Sequence, residues 1–149
     1  MYNREWYDTV NRSTVMDLYK FVKPDIGYEM YLDVLRKYLR IFFSRLRMCV
    51  HPLRIQTDRY TNDNRPRNER YCMVCNSHDI EDEYHFICIC PCYSNFRKKH
   101  IDEKYYVKPS VYKYFQLLTT VDKQELINIS LYVKHALLNM RSNITYTER

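Results

Sequence analysis

The chain has 149 residues, is 46% hydrophobic and carries a formal net charge of +6 at pH 7. That is enough for one packed domain and too little for two of full size, and a single glycine, Gly27, excludes the glycine-rich loops that cradle phosphates or dinucleotides. The opening MYNREWYDTVNRST lacks an apolar signal core and no run of about 18 apolar residues occurs, so the sequence predicts an intracellular protein, nuclear or cytoplasmic, with no membrane partner.

The first predicted element covers 13–22, STVMDLYKFV, with Ser13 or Thr14 as cap, Val15, Leu18 and Val22 on one face, and Pro24 beyond its end. A longer helix is expected from Tyr28 to Val50, with Leu32, Leu35, Leu39, Phe42, Phe43 and Leu46 at steps of three and four. At 100° per residue Arg36, Arg40 and Arg47 fall within about 40° of each other beside that face. Such a stripe is either the solvated flank of an amphipathic helix or a line of guanidinium groups offered to a partner. Residues 36–70 hold ten Lys/Arg and three Asp/Glu, so the whole charge excess sits in this stretch.

Residues 51–71 lose periodicity and read as a basic connection, with a short extended piece at Leu53 to Gln56. Then residues 70–93, RYCMVCNSHDIEDEYHFICICPCY, gather five of the six cysteines and two of the five histidines. Without a secretory signal the thiols are expected reduced, and clustered free thiols point to a metal. A structural Zn²⁺ site takes four N or S ligands in two close pairs. Cys72 and Cys75 form a C-x2-C pair. His85 opens the second, and Cys90, four residues further on, fits the usual spacing better than Cys88 or Cys92. The expected ligands of one structural zinc ion are therefore Cys72, Cys75, His85 and Cys90, with Cys88 the substitute for Cys90 and His78 a poorer one for His85. Four ligands close the site, which argues against catalysis at the metal. Glu81 to Glu83 either fix the second ring nitrogen of His85 or form a solvated turn. Cys88 and Cys92 then pack as small residues, and Cys49 is a core thiol.

After the cluster, YSNFRKKH begins a helix with Arg97, Lys98 and Lys99, and Pro109 and Ser110 introduce a short helix facing inward through Val111, Phe115 and Leu118. The last helix opens on a box-like Asp122/Glu125 start and buries Leu126, Ile129, Val133, Leu137 and Met140. The fold class is mainly α: a small helical domain with an inserted Cys-Cys-His-Cys zinc module. Its segments are 1–50 with the long basic helix, 51–71 the basic connection, 72–97 the zinc module and 98–149 the C-terminal helices.

The stretch RLRMCVHPLRIQTDRY, then RYCMVC, then IEDEYHFICICPCYSNFR, resembles the zinc-binding region downstream of the polymerase in LINE-type (non-LTR) retrotransposon reverse transcriptases. The likeness runs from about Trp6 to Tyr112 and rests on C-x2-C, a short acidic spacer, E-x-HF, four residues to Cys-Pro, then Tyr and Arg. It implies the same four zinc ligands and a module that grips RNA or DNA beside a reverse transcriptase polymerase domain. Members of that family tend to have glycine after LRI-x-T, where this chain has Asp58 and Arg59. The paired-aspartate polymerase motif and an endonuclease domain are missing, so the resemblance implies an accessory module and no enzyme, with no small-molecule substrate.

Arg36, Arg40, Arg47, Arg54, Arg59, Arg65, Arg67 and Arg70 lead into the zinc module, a density that attracts phosphate backbones. Tyr71, with Tyr60 and Tyr84, offers rings on which bases can stack. Two other readings use the same residues: a zinc-stapled docking domain whose arginines meet acidic protein surfaces, and a nuclease built on His51, Asp58 or His78 around a second ion.

Overall fold

In the computed structural model the backbone is described for residues 2–61 and 64–147 and side chains for 3–61 and 64–140. Asn62, Asp63, Glu148 and Arg149, which belong to the basic connection and the last segment, lie outside the described residues. The helices are α1 (Tyr2–Arg12), α2 (Asp17–Val22), α3 (Tyr31–Val34), α4 (Lys37–Arg47), α5 (Arg54–Thr57), α6 (Ser94–His100), α7 (Val111–Leu118) and α8 (Lys123–Thr147). No strand occurs among the described residues. One isolated antiparallel bridge joins Tyr71 and Ile80, so the fold is mainly α with a Cys/His cluster between α5 and α6.

Helix α8 organises the core. The stripe Leu126, Ile129, Val133, Leu137 and Met140 is buried as the periodicity predicts, and Tyr132 and Ala136 widen it. That breadth lets α8 pack against α3 and α4 and against α6. Asp122 accepts a hydrogen bond from Glu125 N at 2.8 Å. Glu125 does not reach back to complete the box, because its carboxylate accepts the Tyr105 hydroxyl.

The expected helix from Tyr28 to Val50 is broken. Leu35 (ψ 134°) and Arg36 (ψ 150°) are extended, separating α3 from α4. Tyr31, Leu35 and Leu39 are all buried, and this i, i+4 pattern is what makes the stretch read as continuous. Arg36 is thus the N-cap residue of α4 and not part of a helical stripe with Arg40 and Arg47. At the other end Cys49 takes φ 61°, with Cys49 N donating to Leu46 O at 3.1 Å and Val50 N to Arg45 O at 2.8 Å. This is a Schellman ending in which a buried cysteine holds the left-handed position usually given to glycine. Cys49 is a core thiol, as expected, just past the helix.

Three further expectations change. The first predicted helix starts at Asp17, after a turn in which Ser13 Oγ accepts from Val15 N and Met16 N. Leu53 to Gln56 does not run as an extended piece, since α5 begins at Arg54. In α7 the buried face is Tyr114, Leu117 and Leu118, leaving Val111 exposed. Tyr114 is large enough to turn the helix toward itself, and it stacks edge-on to Tyr84 at 5.5 Å.

Candidate metal centre

The bridge between Tyr71 and Ile80 closes a tight loop, with Cys72 N donating to Asp79 O at 2.8 Å and Glu81 N to Arg70 O at 2.9 Å. Asn76 (φ 53°) and His78 (φ 62°) are left-handed, which lets a loop without glycine turn tightly enough for Cys72 and Cys75 to face one point. His85 comes from the other side. Its backbone N–H donates to Asp82 Oδ1 at 2.8 Å, which starts a π-turn from His85 to Ile89. Cys90 N then donates to His85 O at 2.7 Å. In an α-helix, side chains five apart point about 140° away from each other; the wider turn brings His85 and Cys90 back to one side.

The ligating atoms of Cys72, Cys75, His85 and Cys90 all lie within 4.8 Å of one another. Cys75 Sγ and His85 Nε2 are 3.4 Å apart. A tetrahedral ion with ordinary metal–thiolate and metal–imidazole bonds separates its donors by about 3.5–3.8 Å, so this cluster is compatible with metal binding. Cys72, His85 and Cys90 are buried and Cys75 is half-buried. Of the four donors, Cys72 is shifted toward the thiolate that binds metal. A hydrogen bond from the Cys90 thiol, working against burial, holds Cys72 below the ordinary thiol range, and Cys90, as the donor, is pushed up. Burial pulls His85 down, but bonds to Cys72 and Cys75 outweigh it and leave its pKa raised. A cation entering here displaces the shared proton.

The acids before His85 do neither thing expected of them as a group. Glu81 is buried, with Oε1 3.5 Å from Cys72 Sγ, and its other oxygen accepts from Arg54 N at 2.8 Å. Burial, together with the Cys72 charge, raises its carboxyl to about 8. Glu83 is buried against His51 Nε2 at 2.7 Å. The carboxylate nearest the free ring nitrogen is that of Asp79, 3.9 Å from His85 Nδ1, and Nδ1 is buried without a hydrogen-bond partner. Sequence spacing gave no reason to choose Asp79 over Glu81 or Glu83.

Cys88 points into the core, and burial pushes its thiol up to about 12. Cys92 is exposed and donates to Val74 O at 3.3 Å, and His78 is exposed beside the Tyr71 ring. The substitutes weighed from spacing therefore lie outside the four-donor cluster. Arg97, on the helix that the sequence predicts after the cluster, is buried. Its Nε donates to Ile87 O at 2.7 Å and its Nη2 to Cys90 O at 2.9 Å, satisfying carbonyls that the π-turn leaves open. Tyr132 of α8 donates its hydroxyl to Phe86 O.

The basic residues divide. Arg47 is 5% exposed and forms an ion pair with Glu29 at 2.5 Å, donates to Val22 O at 3.0 Å and lies 4.9 Å over the Tyr31 ring. Arg70 is buried and donates to Ile55 O and Arg65 O. Both are turned inward, where backbone carbonyls need donors, and neither presents a guanidinium to a partner. Arg54 pairs with Asp58 at 2.8 Å. Arg59 donates to Thr14 O at 2.8 Å, and Arg40 to Leu32 O at 2.7 Å. Arg65 is half-buried. Arg67 is exposed, 3.1 Å from Asp17. Arg36 is exposed, as is Arg45, which the helical stripe overlooked. Tyr60 and Tyr71 are exposed, and Tyr84 is half-buried under Tyr114.

At the position where the resemblance asks for glycine, Asp58 has φ −69°, so no left-handed residue is needed. His51 and Asp58, weighed for a nuclease, are both buried and held in separate pairs, with Glu83 and with the half-buried Arg54. Comparison of the chain with known protein families, with characterised proteins and with solved structures finds no match. Among the described residues no helix is long and apolar enough to cross a membrane.

Proposed function

We propose that this chain is an intracellular, zinc-stapled module that binds RNA or DNA, of the kind the sequence resembles in the post-polymerase tail of LINE-type reverse transcriptases. The observation that carries the zinc reading is the convergence of three thiols and one imidazole, whose ligating atoms lie within 4.8 Å of one another. Three sulfurs and one nitrogen suit Zn²⁺, whose structural sites are closed and four-coordinate. Three thiolates leave the ion little power to activate water, so its role is to hold the loop, the π-turn and α6 together.

Nucleic acid is the partner that the exposed cations Arg36, Lys37, Arg45 and Arg67 fit, with Tyr60 and Tyr71 as exposed rings. In the family setting a polymerase domain would be the neighbour. The test is fluorescence anisotropy of the zinc-loaded chain with single-stranded RNA, an RNA hairpin and duplex DNA across a salt series. Affinity that falls steeply with salt, with a slope reduced by about two in Arg36→Ala/Arg45→Ala, is expected. No binding at low salt by folded, zinc-loaded protein would contradict it.

The second reading, a zinc-stapled protein-docking domain, draws on Tyr38, Ile41 and Met48, which are 45%, 40% and 40% exposed along α4. It predicts concentration-dependent self-association of the isolated chain and no effect of salt on oligonucleotides.

A further inference from the structure

Sequence places His100 and His135 35 residues apart, and packing of α6 on α8 brings them together. His135 Nδ1 and His100 Nε2 are 3.3 Å apart, with ring centroids at 5.3 Å. When neutral, the pair shares one hydrogen bond, one ring donating its N–H to the other's lone pair. Lys99 precedes His100 on α6 and Lys134 precedes His135 on α8. Burial lowers both histidines from their ordinary value, and the next causes are positive charges: His135 and Lys99 for His100, Lys134 and Lys99 for His135. The carboxylate nearest in sequence, Asp102, is turned to Lys104 N at 2.9 Å. Lys134 Nζ lies 4.6 Å over the half-exposed ring of Tyr38 on α4. Lys98 and Lys99 are exposed on α6.

Two imidazole nitrogens at this separation can span a tetrahedral metal ion, but the surroundings decide against one. No third His, Cys, Asp or Glu joins the pair among the described residues, and two ammonium groups repel a cation. An anion reverses every one of these terms. A phosphate between the rings gives each imidazolium N–H an oxygen to bond and replaces mutual repulsion by attraction to a shared negative charge.

We propose that His100, His135, Lys99 and Lys134 form a phosphate seat across α6 and α8 that takes a backbone phosphate of a nucleic acid, with Tyr38 beside it as a platform for an adjoining base. The guest rests on the nucleic-acid reading above; the seat itself does not. Because the 3.3 Å hydrogen bond between the free rings needs at least one of them neutral, whereas a phosphate favours both as imidazolium, binding takes up protons and tightens as pH falls.

The test measures anisotropy of a labelled single-stranded oligonucleotide on the full zinc-loaded chain at about pH 6 and about pH 8, beside His100→Asn/His135→Asn and Lys99→Ala/Lys134→Ala. Alongside it, the imidazole ¹⁵N signals are titrated with pH with and without inorganic pyrophosphate. Wild type should bind about tenfold tighter at the lower pH, the histidine variant less than about twofold, and pyrophosphate should raise the pKa of both rings. Zinc content and melting temperature show that the variants fold. Oligonucleotide binding whose pH dependence survives in the histidine variant, with rings indifferent to pyrophosphate, overturns the seat and leaves the nucleic-acid reading standing. Rings that respond to pyrophosphate in a chain that binds no oligonucleotide uphold the seat and overturn that reading. Neither response overturns both.

Discussion

Arg36 and Arg47 are eleven positions apart and carry the same chemistry, yet one is in water and the other holds the core. Arg47→Ala removes the Glu29 ion pair, the donor to Val22 O and the contact with the Tyr31 ring, while Glu29 keeps Lys23 at 3.4 Å, so it should destabilise the chain by about 1–3 kcal/mol in denaturant unfolding. Arg36→Ala should stay within about 0.5 kcal/mol. Equal effects would show that Arg47 does not hold Glu29 in solution. The four-donor cluster gives a second residue-scale contrast. Cys90→Ser should lower bound zinc well below one ion per chain, by elemental analysis after dialysis, while Cys88→Ser keeps it. The spacing rule could choose Cys90 because ligand intervals reflect backbone geometry. It could not rank the acids, because a buried Glu81 and an exposed Asp79 look alike in a one-dimensional string.

At the scale of elements, the π-turn is where sequence and structure are joined most tightly. H-x4-C works only because the i→i+5 bond swings Cys90 under His85, and the carbonyls that this turn leaves open are taken by Arg97. Lysine cannot reproduce the planar fork. Arg97→Lys should therefore cost about 2–4 kcal/mol in chemical denaturation and weaken metal retention against a chelator, and unchanged retention would show that the turn stands without it. Amphipathic spacing made α8 and its buried stripe legible. The break at Leu35 was hidden, since no proline or glycine marks it and Tyr31, Leu35 and Leu39 keep helical spacing through it. The face of α7 was misjudged because hydropathy ranks tyrosine low, whereas Tyr114 is buried.

One core joins residues from Leu18 to Met140, and Cys72 and Cys90 of the Cys/His cluster lie within it. Ile55 N donates to Glu81 O at 3.1 Å, Arg70 Nη1 to Ile55 O at 2.8 Å, and Tyr132 of α8 to Phe86 O. The stretches LRIQT, RYC and IEDE, separate in the chain, thus brace one another, and removing the ion should propagate beyond the loop. Chelation is expected to lower the melting temperature and to reduce helical circular dichroism in the same transition. Retained helix with loss confined to the cysteine region would show a metal loop that folds independently. The basic surface is the part least legible in sequence. Several arginines of 36–70 turn to carbonyls and acids of their own chain, and the His100/His135 cluster comes together only through packing.

The most direct test of the metal centre is zinc-edge X-ray absorption on the purified chain as loaded with one equivalent of zinc. Three sulfurs at about 2.3 Å and one nitrogen at about 2.0 Å are predicted, changing to two sulfurs in Cys90→Ser. A spectrum with four sulfurs, or one with three sulfurs that Cys90→Ser leaves unchanged, would contradict the assignment of Cys72, Cys75, His85 and Cys90.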